Sequence, residues 1–159
     1  NPNTVRGAMR FLDSVQANSG ANYGYTGPGT KDATTAIGLL CRMYLGWKKE
    51  HPGIQGGVDF LDKHGPSKSN MYYNYYATQV MHQVGGEAWR DWSAKIRDHL
   101  VESQAREGHE AGSWHFPAGG PGASRGGRLY STTLALLIIE VYYRHLPIYR
   151  TGKTKTDSD

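Results

Sequence analysis

The chain has 159 residues, of which 38% are hydrophobic and 20% charged, and its formal net charge is +4. This balance predicts one globular domain with a real core, and excludes a disordered chain or a nucleic-acid binder, since the scattered basic residues accompany no nucleic-acid motif. A single cysteine, Cys41, excludes a disulfide framework, and the longest apolar run, 134–139, is too short to span a membrane.

The first half of the chain predicts three helices. Residues 3–16 place Val5, Met9 and Leu12 on one face and polar residues on the other, as in an amphipathic helix. A loop rich in Gly, Asn and Tyr follows. The second helix, 30–45, is apolar on nearly every side, which indicates that other helices enclose it. The third helix, 54–63, is shorter and again has a polar face.

The second half repeats this alternation. The fourth helix, 70–84, is aromatic and apolar, and the fifth, 87–104, is charged on one face. A long glycine-rich loop, 108–127, leads into the last helix, 129–146, which is apolar and ends before a proline. The polar tail, 151–159, is expected to be disordered.

The three enclosed helices also align with one another. Residues 34–40 match 132–138 without a gap, and the middle helix joins the alignment through its Tyr-Tyr-Ala-Thr segment. Thr35, Thr78 and Thr133 then become equivalent. The sequence therefore predicts an all-α fold of three helical hairpins, in which outer helices with a polar face alternate with enclosed inner helices.

Two segments carry a further pattern. Gln16 followed by Gly24-Tyr25, and Gln104 followed by Gly112-Ser113-Trp114, resemble the glutamine–tryptophan repeat of squalene cyclases. Nearly the whole chain resembles the terpenoid cyclase and protein prenyltransferase superfamily, the α/α toroids, and in particular bacterial proteins with prenyltransferase/squalene-cyclase repeats. Further segments that carry this resemblance are Tyr75-Tyr76-Ala77-Thr78, Val84-Gly85-Gly86-Glu87-Ala88-Trp89 and Gly126-Gly127-Arg128-Leu129-Tyr130-Ser131-Thr132.

The resemblance implies an inner ring and an outer ring of helices. Complete toroids usually contain five to seven hairpins, so three hairpins imply a partial toroid, with residues 1–150 as a repeat domain of a longer chain or as an open half-ring. In such a repeat, Gln16 and Gln104 bond open backbone groups, Tyr25 and Trp114 pack against glycines, and threonines cap the inner helices. The open ends of an arc predict added hairpins or self-association.

The catalytic motifs of the superfamily are missing from the sequence. The chain contains no Asp-x-Asp-Asp acid cluster, no Asp-x-Cys…His zinc site, no Cys-Gly-Glu-Gln thioester and no aspartate-rich magnesium motif. We therefore expect no cofactor and no metal. Two functions remain: a non-catalytic binding or scaffold module, or part of an enzyme acting on a polyprenyl or triterpene substrate whose catalytic residues lie outside this segment.

Few residues of this chain are candidates for chemistry. Cys41, in an apolar helix, is interpreted as a small core residue or as a nucleophile or metal ligand. Glu140 lies between apolar residues, which predicts either pairing with an arginine, Arg42 or Arg144, or a general acid with a shifted pKa. A group of two histidines and a glutamate is interpreted as a surface loop or as three metal ligands: His109, Glu110 and His115.

Candidate binding residues cluster near the starts of the inner helices. Five tyrosines there either line a pocket for an apolar or isoprenoid-like ligand or a protein partner, or pack structurally. The glycine loop opens a helix, where backbone N–H groups attract anions, and Arg125 and Arg128 follow it. It lacks the Lys-Ser/Thr ending of a phosphate-binding loop. The tyrosines are Tyr72, Tyr73, Tyr75, Tyr76 and Tyr130.

Overall fold

Six α-helices make up most of the computed structural model, which describes residues 1–120 and 122–144, with the side chains up to Val141. The predicted all-α class is confirmed, and the first five helices differ from their predicted bounds by only a residue or two. The predicted disordered tail, 151–159, lies outside the described residues. The helices are α1 (Pro2–Val15), α2 (Asp32–Tyr44), α3 (Pro52–His64), α4 (Met71–Val84), α5 (Gly86–Ser103) and α6 (Ala123–Arg144).

Local signals set most helix ends. The Asn1 side chain accepts a hydrogen bond from the N–H of Asn3 at the start of α1. The Asn70 side chain does the same for Tyr73 in α4, at 3.1 Å. Gly65 and Gly85 follow α3 and α4 with φ of 69° and 73°, a conformation that glycine adopts without strain. The two glycines end α3 and α4 close to the ends predicted from the sequence, whereas the two asparagine caps are seen in the structure alone.

The start of α6 differs from the prediction. The sequence predicted loop up to Gly127 and helix from Leu129, whereas the helix begins at Ala123 and is interrupted at Gly127, where φ is 54° and ψ is −140°. The N–H of Gly126 bonds the carbonyl of Gly122 at 2.8 Å and closes a turn before the interruption. The glycine pair therefore bends a helix that has already begun.

The inner helices form a row in which α4 packs against both α2 and α6. On the outer side, α3 packs against α2, and α5 packs against α4. The core lies between the two layers, and α1 reaches it only through Leu12 and Val15. Its largest fully buried apolar side chains are Tyr23, Leu39, Ile54, Leu61, Met71, Tyr73, Val80, Met81, Trp92 and Leu100.

The turn after α1 places a different aromatic residue in the core than the sequence predicted. Two short antiparallel strands, β1 (Gln16–Ala17) and β2 (Asn22–Tyr23), pair Gln16 with Tyr23. Tyr23 is 1% exposed and its ring lies on Gly38, whereas Tyr25 is 74% exposed. The prediction for Tyr25 was therefore wrong. The N–H of Tyr23 donates to the Thr35 hydroxyl at 3.1 Å, which ties the turn to α2.

The turn after α5 also ties a buried aromatic residue to the next inner helix, but only its glutamine makes the predicted backbone contact, since the Gln16 side chain accepts from Arg42. The Gln104 amide donates to the Gly112 carbonyl at 3.0 Å, and buried Trp114 donates from its indole to the Leu100 carbonyl at 2.8 Å. The backbone N–H of Trp114 bonds the Thr132 hydroxyl at 3.0 Å. Thr132 thus makes the contact that Thr35 makes in the first hairpin, whereas Thr133, its predicted equivalent, is exposed.

In the middle hairpin, one asparagine replaces both the glutamine and the aromatic residue of the other two turns. Buried Asn74 accepts from the N–H of Ser67 and donates to its carbonyl, both at 2.8 Å, and so holds the turn between α3 and α4. Thr78 is buried, but its hydroxyl accepts from the Trp92 indole of α5 at 2.9 Å rather than from the turn. The three threonines aligned in the sequence therefore have three different environments.

Candidate functional site

Three half-buried tyrosines of α4 form a continuous aromatic group. The ring of Tyr76 lies 5.0 Å from the rings of both Tyr72 and Tyr75, at 70° in each case, which is the edge-to-face geometry that aromatic pairs favour. Burial raises the pKa of Tyr76 to about 12, and the Tyr72 hydroxyl adds to the shift. The Tyr76 hydroxyl therefore remains protonated at neutral pH and can donate a hydrogen bond.

The group extends to the neighbouring inner helices. Tyr130 of α6 interacts electrostatically with Tyr72, and burial together with this interaction raises the pKa of Tyr130. Gly122 lies against the Tyr130 ring, where an added Cβ would come within 3.4 Å. We call Tyr72, Tyr75, Tyr76 and Tyr130 the tyrosine cluster. It combines apolar ring surface with several hydroxyl donors.

Cys41 of α2 interacts electrostatically with Tyr76. The residue is half-buried, and burial raises the pKa of its thiol. A raised pKa keeps the sulfur protonated, whereas a nucleophile or metal ligand needs the thiolate. The structure therefore favours the interpretation of Cys41 as a packing residue.

Tyr73 does not belong to the cluster, although the sequence grouped it there. Its side chain is 1% exposed and lies edge-on to Trp92 with 6.0 Å between ring centroids. The hydroxyl donates to the Gly65 carbonyl at 3.1 Å, and burial raises its pKa. Tyr73 points away from its neighbours in the sequence because one helical position corresponds to a rotation of about 100°. It is a core residue.

The two arginines at the start of α6 have different environments. Arg128 pairs with Glu110 at 2.8 Å and donates to the Ser113 hydroxyl at 3.1 Å, so it fastens the preceding loop to α6. Arg125 is exposed on the first turn. The Arg128 charge is therefore already compensated, which weakens the prediction of an anion site at this helix start.

The loop histidines do not converge. His109 is 96% exposed, His115 is exposed, and Glu110 is held by Arg128. No group of three or more His, Cys, Asp or Glu side chains that could hold a metal ion occurs among the residues that the structure describes. The geometry thus agrees with the surface-loop interpretation of this segment.

Glu140 is exposed on α6. The prediction of a pKa-shifted general acid assumed that its apolar neighbours enclose the carboxyl group, and this assumption was wrong. The predicted pairing with Arg42 was also wrong, since Arg42 is engaged elsewhere. The side chain of Arg144, the other predicted partner, lies outside the described residues.

Arg42 is a buried arginine whose role the sequence did not reveal. It is 3% exposed, contacts Asp13 at 2.5 Å, and donates to the Tyr23 hydroxyl at 3.0 Å and to the Gln16 side chain at 3.1 Å. Burial alone would lower the pKa of Arg42, but the hydrogen bonds with Asp13 and Tyr23 outweigh it and the pKa is raised. The available signal was a charged residue in the last turn of a helix that is apolar on nearly every side.

Comparisons of the chain with protein-family models, with curated proteins and with solved structures gave no match. Within the described ranges, none of the helices is long and apolar enough to cross a membrane.

Proposed function

We propose that this chain is a non-catalytic binding or scaffold module of the α/α-toroid type, related to the squalene cyclase and prenyltransferase repeats. The observation that carries the proposal is the tyrosine cluster: its three α4 rings are half-buried and meet edge-to-face, and Tyr130 of α6 interacts electrostatically with Tyr72. Its ligand is an apolar or isoprenoid-like molecule, since aromatic faces bind apolar groups and the hydroxyls bind a polar end.

The helix arrangement supports the toroid assignment. Apolar inner helices lie side by side, helices with a polar face cover one side of them, and the turns after α1 and α5 share two features. In both turns a glutamine ends the outer helix, and the backbone of a buried aromatic residue bonds a threonine of the next inner helix.

The chemistry of the side chains favours binding over catalysis. Glu140 is exposed, the Cys41 thiol has a raised pKa, and the sequence contains no Asp-x-Asp-Asp cluster or Asp-x-Cys…His site. A catalytic acid, a nucleophile or a metal centre needs groups of shifted reactivity held close together.

Farnesol is a suitable probe for this site. With ring-labelled tyrosine, titration should shift the resonances of Tyr72 and Tyr76, and Tyr76→Ala should weaken binding on the order of tenfold because an aromatic contact is lost. Tyr25→Ala is the matched control, since Tyr25 is 74% exposed and lies outside the cluster.

Equal loss of affinity in both variants, or no shift of the cluster resonances, would contradict the binding proposal. Tyr72→Leu provides a second variant if Tyr76→Ala unfolds. Incubation with squalene or farnesyl diphosphate should give no product, and turnover of either compound would overturn the non-catalytic assignment.

A further inference from the structure

The helix α3 is capped by a histidine. The Nδ1 atom of His51 accepts a hydrogen bond from the backbone N–H of Gly53 at 3.1 Å. Helix caps are usually Ser, Thr, Asp or Asn, whose side-chain oxygen accepts this bond throughout the neutral range. A histidine accepts it only while the ring is neutral, because the protonated ring carries hydrogen on both nitrogens. The cap of α3 therefore depends on a single proton.

The first turns of α3 have little intrinsic helix stability of their own. Three of the first six residues are glycines, Gly53, Gly56 and Gly57, and each costs about 1 kcal/mol relative to alanine in a helix interior. Ile54, between them, is fully buried. This part of the helix is therefore held by packing and by its cap, and loss of the cap should affect it more than a helix start rich in alanine or leucine.

The His51 ring also holds Trp47 in place. The two rings are stacked, with 3.6 Å between their centroids and 16° between their planes. A Cβ at Gly20 would lie 2.7 Å from the Trp47 ring, and one at Gly53 would lie 2.8 Å from it. Trp47 thus fills the space between the turn after α1 and the start of α3. A movement of His51 would reach both elements.

The charged neighbours of this stack do not favour a protonated His51. The guanidinium of Arg42 lies 4.6 Å from the centre of the Trp47 ring and is paired with Asp13. In the described part of the chain, no carboxylate forms an ion pair with His51. The turn 18–20, which packs against α3, has no charged side chain. The other charged residues near His51 in the sequence are exposed: Lys48, Lys49, Glu50 and Asp59.

We propose that protonation of His51 opens the first turn of α3 and releases Trp47, so that this part of the fold responds to mild acid. The proton binds Nδ1, and the hydrogen bond from Gly53 is lost. The new positive charge then lies at the N-terminal end of α3, where the helix dipole disfavours a cation. Above the range in which histidine binds a proton, the cap and the stacked rings remain closed.

Amide hydrogen exchange measured by NMR tests this response at the capped N–H itself. After correction for the intrinsic exchange rate, protection of the Gly53 amide should fall on the order of fivefold between about pH 7.5 and 5.5, as expected for loss of a helix cap. The Trp47 ring resonances should shift over the same range. The Tyr73 amide is the internal control, because Asn70 caps it at the same distance of 3.1 Å and does not titrate.

Replacing the histidine separates the cap from other effects of acid. His51→Asn supplies an acceptor that does not titrate, so protection of the Gly53 amide should be the same at both pH values. His64→Asn is the matched control and should keep the wild-type response, since His64 lies at the other end of α3 and pairs with Asp32 at 3.1 Å. His51→Ser replaces His51→Asn if that variant loses the wild-type circular dichroism.

Three results would overturn the proposal. The Gly53 amide of the wild type keeps its protection in acid, the non-titrating variant loses as much protection as the wild type, or the Tyr73 amide loses as much as Gly53. The last result would indicate global unfolding in acid rather than local opening at α3.

Discussion

Arg42 is the single buried charged side chain among the residues that the structure describes. Its guanidinium lies 4.6 Å from the centre of the Trp47 ring, and its hydrogen bonds join Asp13 of α1, Gln16 of β1 and Tyr23 of β2. The Asp13 side chain is 58% exposed, so water shares in compensating the charge. One residue of α2 thus connects the outer helix and the turn of the first hairpin.

Replacing Arg42 by Met should lower the free energy of unfolding by about 1–3 kcal/mol, because the buried Tyr23 hydroxyl loses its partner. Arg97→Met is the matched control: Arg97 pairs with Asp98 at 3.0 Å, but both side chains are more than half exposed. That change should cost less than about 1 kcal/mol. Urea unfolding measures both, and similar losses in the two variants would contradict this role of Arg42.

The buried tyrosines predict a loss of stability in alkali. Burial raises the pKa of Tyr76 to about 12, and it also raises that of Tyr73. The pKa of tyrosine in the unfolded chain is about 10. The contribution of these two tyrosines to the free energy of unfolding is therefore complete below about pH 10 and is lost as the pH rises through their folded-state pKa. The free energy of unfolding should therefore decline from about pH 10 upward, and less steeply in Tyr76→Phe. If the free energy of unfolding declines equally steeply with pH in both proteins, Tyr76 does not contribute to this pH dependence.

At the scale of the helix, α2 depends on a glycine in its middle. Gly38 is buried, and the ring of Tyr23 occupies the space that a Cβ would need. The glycine lowers the intrinsic helix stability of α2 but lets the turn after α1 pack directly on the helix backbone. At this position, packing of the turn on α2 outweighs the low helix propensity of glycine.

Gly38→Ala should destabilise the protein by about 1–2 kcal/mol net, because overpacking against Tyr23 exceeds the gain in helix propensity. Gly7→Ala in α1 is the matched control, since nothing lies within 4 Å of an added Cβ there. It should stabilise the protein by about 0.5–1 kcal/mol. Thermal unfolding of both variants gives the comparison, and a stabilising Gly38→Ala would refute the close approach of Tyr23.

The early start of α6 has a similar cause. Two adjacent glycines predict a loop because each costs about 1 kcal/mol in a helix interior. In the structure, Gly126 lies so close to Tyr130 that a Cβ there would approach the Tyr130 Cβ at 2.5 Å. The glycine pair thus allows the turn from Ala123 to pack against the tyrosine cluster, which no local signal reveals.

At the scale of the whole molecule, the alternation indicated which helices are enclosed, and the resemblance to the α/α toroids implied that these helices lie side by side. The packing of α4 between α2 and α6 follows from this pattern, since a helix that is apolar on nearly every side needs neighbours on several sides. The same pattern did not predict which side of α4 faces α5. The orientation of α4 buries Tyr73 against Trp92 and leaves Tyr72 and Tyr76 half-buried.

The sequence by itself determined the all-α class, the number of helices in the described ranges and most of their ends. Hydrophobic period, caps and glycines are local, so they can be interpreted without knowing the neighbours. The tertiary structure alone decided that Tyr23 rather than Tyr25 enters the core, that Arg42 pairs with Asp13, and that Glu140 is exposed. Each of these outcomes depends on which distant surface faces a side chain, and a shift of one residue along a helix or strand reverses it.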